Sequence, residues 1–446
     1  MSVSLYDSAV YGPLFSDRRI VELFSDQRRI ETMLAVEVDL AQVQADLGII
    51  PGHAAAAIAQ GASDLRPDME SLGAGTRRAG VPVVELVSQL RHAAGPDNSG
   101  YVHYGATSQD IIDTAHVIQI REALDYQEDQ LNALIRELAA VTHKYRHTLM
   151  VARTRSQQAL PTTFGFKVAG WLLPLIRHRE RLTELKPRLL VLQFGGAVGT
   201  LAALHDRGIK TMEALAVRLN LYAPVMPWHS QRDGFAEFAN WLALLTGSLG
   251  KIGQDIILLA QSEVAEVAER ADQNAGASST MPNKSNPITC EMLVAAARMN
   301  ATLLANMHHA LIAEHERATH GWQLEWITLP QMMCNTSAAL GHTRTVVNNM
   351  IVDENRMHIN LDTSNGLVLA EMAAFRLSAE AGWGRARQLV ATACAESRRS
   401  GRHLMEVLDD VDDSGIEWSD CKDPARYLGH ADEFIDRVLS EVGVLR

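Results

Sequence analysis

The sequence predicts an all-α protein built around a bundle of long helices, and three observations carry that prediction. Phe235, Phe238, Leu242, Leu245, Leu249, Ile252, Ile256 and Leu259 alternate steps of three and four, the apolar seam of a helix packed in a bundle. Leu124, Leu131 and Leu138 recur at heptad spacing, with Leu134 and Val141 between them. Strand-like alternation is hard to find, and aromatic residues are only 5% of the chain, which suits helices that pack closely.

The elements follow in order. Up to about residue 110 the helical pieces are short, broken at Pro51–Gly52, Gly73, Gly75, Gly80 and Pro82. A long helix starts near Ile111. A further helical stretch starts at about Phe164, and Pro174 should kink it. The seam helix covers Phe235 to Leu259. After Pro287 another helix runs through Met292, Met299, Leu303 and Met307 towards Glu316. From about residue 356 the chain leads into an acidic patch at Asp409, Asp410, Asp412 and Asp413. The expected domains are therefore 1–110, 111–355 and 356–446. A helix of about 35 residues spans roughly 50 Å. One hairpin of such helices cannot bury its own seams, so an oligomer is expected.

Composition narrows the function classes. In 446 residues, 47% hydrophobic and 21% charged describe a globular chain rather than a disordered one. Basic residues number 41 and acidic residues 53, a net charge of −12. No nucleic-acid partner is expected, and an anionic ligand has to be gathered by a local cluster of Arg and Lys. Cys290, Cys334, Cys394 and Cys421 lie far apart without a C-x-x-C pair, so neither a disulfide scaffold nor a zinc site is expected, and a reducing cytoplasm is the simplest compartment. The N-terminus carries Asp7 and no basic-then-apolar run. The longest charge-free stretches are broken by Gly195, Gly196 and Gly199, or by Pro330, Gln331 and Asn335, so no membrane span is expected. No H-E-x-x-H, G-x-S-x-G, G-x-G-x-x-G or Walker loop is present.

Three segments could carry chemistry. Gly276 to Pro287 is small, polar and uncharged except for Lys284. Part of it reads as geometry, with Asn286 an N-cap and Pro287 the first helical residue. Geometry does not account for Ser278 and Ser279 sharing a loop with Lys284. A serine moves protons when a cation stabilises its alkoxide, which Lys284 can do across a folded loop. In the second segment, His103 to Asp110, Thr107 and Asp110 fit an S/T-x-x-D helix start, while Thr107, Ser108 and Gln109 place two hydroxyls and an amide where a helix N-terminus binds carboxylates. These readings are compatible. In the third, Arg153 to Gln158, an extended or loop segment can aim Arg153 and Arg155 at one polyanion; a solvated basic turn is the alternative. Gln231 and Arg232, just before the seam helix, and Arg317 at the end of another are weaker candidates.

The segment Ser278-Ser279-Thr280-Met281-Pro282-Asn283-Lys284-Ser285-Asn286-Pro287 resembles the S-S-x-M-P-x-K-x-N-P signature of the fumarase/aspartase superfamily. His103 to Asp110 resembles that superfamily's first signature region, and Arg153-Thr154-Arg155-Ser156-Gln157 stands where its second belongs. The resemblance implies an all-α, three-domain subunit and a homotetramer whose active sites are each built from three subunits. It implies a small carboxylated substrate and no metal or organic cofactor. It makes Ser278 the catalytic serine with Lys284 and Asn286 beside it, and Thr107, Ser108 and Gln109 carboxylate binders. His103, Arg153, Arg155, Gln157, Gln231, Arg232 and Arg317 complete the implied substrate-binding set. Ala277 stands where the family usually has glycine, which stiffens the loop without removing a reactive group.

One departure is informative. The fumarase, adenylosuccinate lyase and argininosuccinate lyase branches read Thr-His in the second region, and here it is Thr154-Arg155. Arginine does not exchange protons at neutral pH, so the usual histidine role is vacant. In this the chain is similar to the 3-carboxy-cis,cis-muconate cycloisomerases, as it is in Phe194 to Thr200 and in Glu314 to Arg317 with Gly321-Trp322. That branch implies closure of a carboxymuconate to its lactone in protocatechuate degradation, the β-ketoadipate pathway. The alternative is an adenylosuccinate-type β-elimination that releases fumarate.

Overall fold

A computed structural model describes residues 4–269, 281, 284–317 and 319–443. Among these the chain is α-helical apart from two short antiparallel ladders, which is the fold class expected. It forms two compact units, one from Met1–Leu131, His178–Gly247 and Ala295–Gly341, the other from Asn132–Arg177, Ser248–Val294 and His342–Arg446.

The first unit's core joins α1 (Asp26–Asp46) to the start of α2 (Ser108–Lys144) through Met33, Leu40, Leu86, Leu90, Ile111 and Phe194. The heptad leucines of α2, Leu124, Leu131 and Leu138, are fully buried, as is Leu134. Helix α3 (Phe164–Leu189) runs unbroken through Pro174. In α4 (Asp233–Leu259) all eight seam residues are at most 4% exposed. Helices α5 (Ile288–His309) and α6 (His320–Asn349) follow.

Several boundaries depart from the sequence expectation. Helix α5 ends at His309 rather than near Glu316, because the chain turns and Gly321 packs on Ala310. A Cβ at Gly321 would lie 2.7 Å from the Ala310 carbonyl oxygen. Pro330 does not interrupt α6. Leu329, Met332 and Met333 around it are fully buried, and Asn335 is tied to α5 by a 2.9 Å bond to Asn300 Oδ1. Packing on both sides thus outweighs the local cost of proline. By length and composition alone α4 and α5 are each long and apolar enough to cross a bilayer. In α4 the eight seam residues are buried, whereas Leu244 and Leu258 are exposed. In α5 Cys290, Leu293 and Met307 are buried, whereas Met299 is 47% exposed and Met292 and Leu303 are half-buried.

The main unforeseen element is a hairpin in the second unit, β1 (Leu149–Thr154) and β2 (Gln157–Thr163), with Thr154 opposite Gln157. Its period-two signal is masked because Arg153, Gln157 and Gln158 ride on a partly exposed ribbon and a bulge falls between Val151 and Arg153. Met150 and Val151 are fully buried, and Val151 joins the core of Leu361, Leu377, Val390, Leu408 and Trp418. A two-residue ladder pairs β3 (Val267–Ala268) with β4 (Ile351–Val352).

Candidate active site

In the first unit the site begins at the N-terminus of α2. His103 and Gly105 take positive φ values, 65° and 74°, so the chain turns sharply into the helix. The expected capping box is only partly made. Asp110 accepts from the Thr107 amide at 3.0 Å, and the Thr107 carbonyl accepts from the Asp110 amide. The Thr107 hydroxyl instead accepts from Arg317 Nη1 at 2.8 Å. Asp110 also accepts from the amides of Gly195 and Gly196 at 3.0 and 2.9 Å and lies 2.7 Å from His229 Nε2. This buried carboxylate thereby fixes the helix end to the 195–196 turn. Thr107, half-buried Ser108 and Arg317 are brought together around one helix N-terminus, where backbone dipole and guanidinium favour an anion. His103 Nδ1 sits 2.6 Å from Glu37, a buried carboxylate. Burial alone would lower this imidazole, but Glu37 raises it above its ordinary value.

Two residues expected to bind substrate have other partners. Gln109 is fully buried and donates to the His229 carbonyl at 3.0 Å and to Asp113 at 3.3 Å, so it points into the protein. Arg232, 2% exposed, donates to Asp113 at 2.7 and 3.2 Å and to Glu325 through Nε at 2.8 Å and through Nη2. Trp322 Nε1 adds a 2.8 Å bond to Asp113, and Trp228 and Phe235 stack under the guanidinium. Burial penalises the Arg232 charge, but the two carboxylates more than reverse this and hold it charged. With four of its five N–H donors committed to buried carboxylates, Arg232 positions α2, α4 and α6 within the first unit. Gln231 beside it is exposed.

In the second unit the two arginines of the hairpin part company. Arg153 makes a two-pronged pair with Glu266, Nη1 to Oε2 at 2.8 Å and Nη2 to Oε1 at 2.6 Å. Glu266 is fully buried and accepts a further bond from Asn360 Nδ2 at 2.8 Å. Arg153 is therefore an anchor and not the free binding arginine expected. Arg155 and Ser156 form the two-residue turn, with φ of 49° and 62°. Such a turn normally selects glycine or asparagine. Among the described residues Arg155 has no hydrogen bond or ion pair, and it is exposed beside exposed Gln157.

Ser278 lies outside the described residues. Lys284 is exposed and its amide donates to the Met281 carbonyl at 3.1 Å, and Asn286 is half-buried. The expected cap is shifted by one. Helix α5 begins at Ile288, the Pro287 carbonyl takes the first helical bond from Glu291, and the capping group is remote. Glu269 accepts from the amides of Thr289 and Cys290 at 3.2 and 2.6 Å and so caps the start of α5.

A lyase family model matches residues 15–299, more than half of the chain. The chain belongs to the fumarase/aspartase superfamily of lyases. This lyase is 41% identical to a 3-carboxy-cis,cis-muconate cycloisomerase from Pseudomonas aeruginosa, over 94% of this chain and 93% of that one. Its fold matches the crystal structure of a 3-carboxy-cis,cis-muconate lactonizing enzyme from Pseudomonas putida with a TM-score of 0.91 and 42% identity, covering 98% and 99% of the two chains. It is also 40% identical to trans-aconitate decarboxylase 1 from Mycosarcoma maydis, over 98% and 90%.

The carboxylates that organise this lyase escaped sequence reasoning as site residues. Asp110 was legible only as a helix cap. Asp113, Glu266, Glu269 and Glu325 find their partners through the fold; Arg153 and Glu266, for example, are 113 positions apart. An acidic residue buried in a chain with an acidic surplus carries no local signal.

Proposed function

We propose that this lyase is a cycloisomerase that closes 3-carboxy-cis,cis-muconate to 4-carboxymuconolactone in protocatechuate degradation. A substrate carboxylate adds across a double bond, and the neighbouring carbon takes a proton, so no group leaves and no co-reactant is needed. The nucleophile is part of the substrate, and holding it near its target supplies much of the rate. Ser278 delivers the proton, and Lys284 and Asn286 stabilise the enolate-like intermediate. Thr107, Ser108 and Arg317 receive one substrate carboxylate at the N-terminus of α2, with Gln157 and Gln231 as further contacts. Arg155 receives another by bidentate pairing. Gln109, Arg153 and Arg232 act by positioning. His103, held by Glu37, is a further contact near the helix end.

The observation that carries this reading is Arg155. A residue that cannot exchange protons occupies the place of the usual histidine, at an exposed turn, without a partner among the described residues. The protein works in the cytoplasm as a homotetramer with active sites shared between subunits, and the exposed apolar residues of α5 are where copies meet. A monodisperse monomer in sedimentation at micromolar concentration would refute the assembly. Incubating purified protein with 3-carboxymuconate tests the chemistry: the conjugated diene should disappear without a second product. Likeness to the decarboxylase favours a second reading, loss of CO2 from a tricarboxylate, which CO2 release would establish. Release of fumarate from an amine- or thioether-linked succinate would instead support β-elimination.

A further inference from the structure

We infer that a cavity in the first unit, between α1, α2 and α6, is a binding site for a small monoanion of the halide, nitrate or formate class. The site is separate from the residues proposed to hold substrate. Arg29 of α1, His116 of α2 and Trp326 of α6 line it, with Met33 and Ile112 as apolar walls. The three polar groups share one property. The Arg29 side chain makes no hydrogen bond or ion pair among the described residues, Asp26 one turn back on α1 acting on it only electrostatically. His116 is 8% exposed, and its Nε2 is buried without a partner; Trp326 Nε1 is likewise buried and unsatisfied.

The chemistry of these groups specifies the ligand. Guanidinium and indole N–H can only donate. Burial, with Arg29 nearby, pushes the His116 imidazole down to about 3, so it is neutral at physiological pH and holds one N–H. With that proton on Nε2, three of the residues lining the cavity carry a donor without an acceptor. No carboxylate lines it. Asp113, the acid nearest His116 along α2, is committed to Arg232 and Trp322. Gln119, also in the wall, turns its amide N–H away to the Leu23 carbonyl at 2.6 Å. A partly desolvated cation with two orphaned donors calls for a negatively charged acceptor. Size sets the upper limit. The cavity volume is about 50 Å³, and one water needs roughly 10–15 Å³, so an ion of one to four heavy atoms fits and a tricarboxylate does not.

The test is diffraction from crystals of the full-length protein equilibrated with bromide and, separately, with formate. The expected result is an anomalous bromide peak, or planar formate density, within hydrogen-bond reach of Arg29, His116 and Trp326. Arg29→Gln should abolish it. In solution, at ionic strength held constant with gluconate, bromide or formate should raise the wild-type unfolding midpoint saturably and leave Arg29→Gln unchanged. Binding of only one of the two ions identifies the halide or the carboxylate as the natural class. If Arg29→Gln does not fold, Arg29→Lys serves: it should keep bromide and bind formate at least several-fold more weakly, having lost the two-pronged contact. Water alone in the wild-type cavity under both conditions overturns the inference, as does a bromide peak that persists undiminished without the arginine.

Discussion

Replacing Arg153 should destabilise the second unit, whereas replacing Arg155 should weaken catalysis, although the two lie on the same hairpin. Arg153→Met leaves Glu266 fully buried, with the Asn360 amide as its remaining side-chain partner. Removing one member of a buried pair costs roughly 3–5 kcal/mol. The Arg153 side chain is itself 23% exposed, which argues for the lower end, about 3 kcal/mol. At roughly 2–4 °C per kcal/mol for a unit of this size, the midpoint should fall by about 6–12 °C. Adding Glu266→Leu removes the stranded charge and should restore most of that loss. Arg155→Ala touches an exposed turn and should change stability by no more than about 0.5 kcal/mol. If Arg155 pairs with a substrate carboxylate, the lost bond is worth roughly 1.5–3 kcal/mol. The value of kcat/KM should then fall about ten- to more than a hundredfold, and Arg155→Lys should show a similar loss. Thermal scans and steady-state loss of the muconate diene measure both quantities. An Arg153→Met protein that melts within a degree or two of wild type, or an Arg155→Lys enzyme with unchanged kcat/KM, would refute the division of labour.

Three further expectations follow from the same reasoning. Ser278→Ala should lower kcat by roughly 10²–10⁴ while substrate still binds; retention of more than about a tenth of the rate would exclude it as proton donor. The raised His103 pKa means that its pairing with Glu37 stabilises the fold fully below the ordinary value of about 6.5 and loses that contribution as pH rises through the folded value. The stability gap between wild type and His103→Gln should therefore shrink from pH 5.5 to 8.5 in urea titrations, and a constant gap would contradict the pairing. Gly165→Ala would place a Cβ 2.5 Å from the Arg146 Cα and 2.7 Å from the Thr142 carbonyl oxygen. Backbone cannot yield as a side chain does, so a loss near the upper end of about 1–3 kcal/mol is expected in the same titrations.

The hairpin shows where sequence reading stops. Its turn residues are arginine and serine in a conformation that favours glycine, so local propensity points away from the turn that forms. The structure tolerates it because Met150 and Val151 are fully buried and Arg153 is bound to Glu266. The same contrast holds for Arg232. Its position beside the seam helix made it a candidate, but nothing in its neighbours along the chain reveals Asp113 and Glu325 as partners.

By itself the sequence determined the all-α class, the α4 seam, the heptad leucines of α2 and the superfamily, because helical periodicity and a contiguous signature loop are local properties of the chain. It also singled out Thr107, Arg155 and Arg317 by residue type. Only the tertiary structure decided which charges are free. It joined Arg317 to Thr107, committed Arg153 and Arg232 to buried carboxylates, turned Gln109 inward and left Arg155 exposed. Whether a charge can serve a ligand depends on whether another charge already neutralises it. Those partners come from elements far apart in the chain, which only folding brings within a few ångströms.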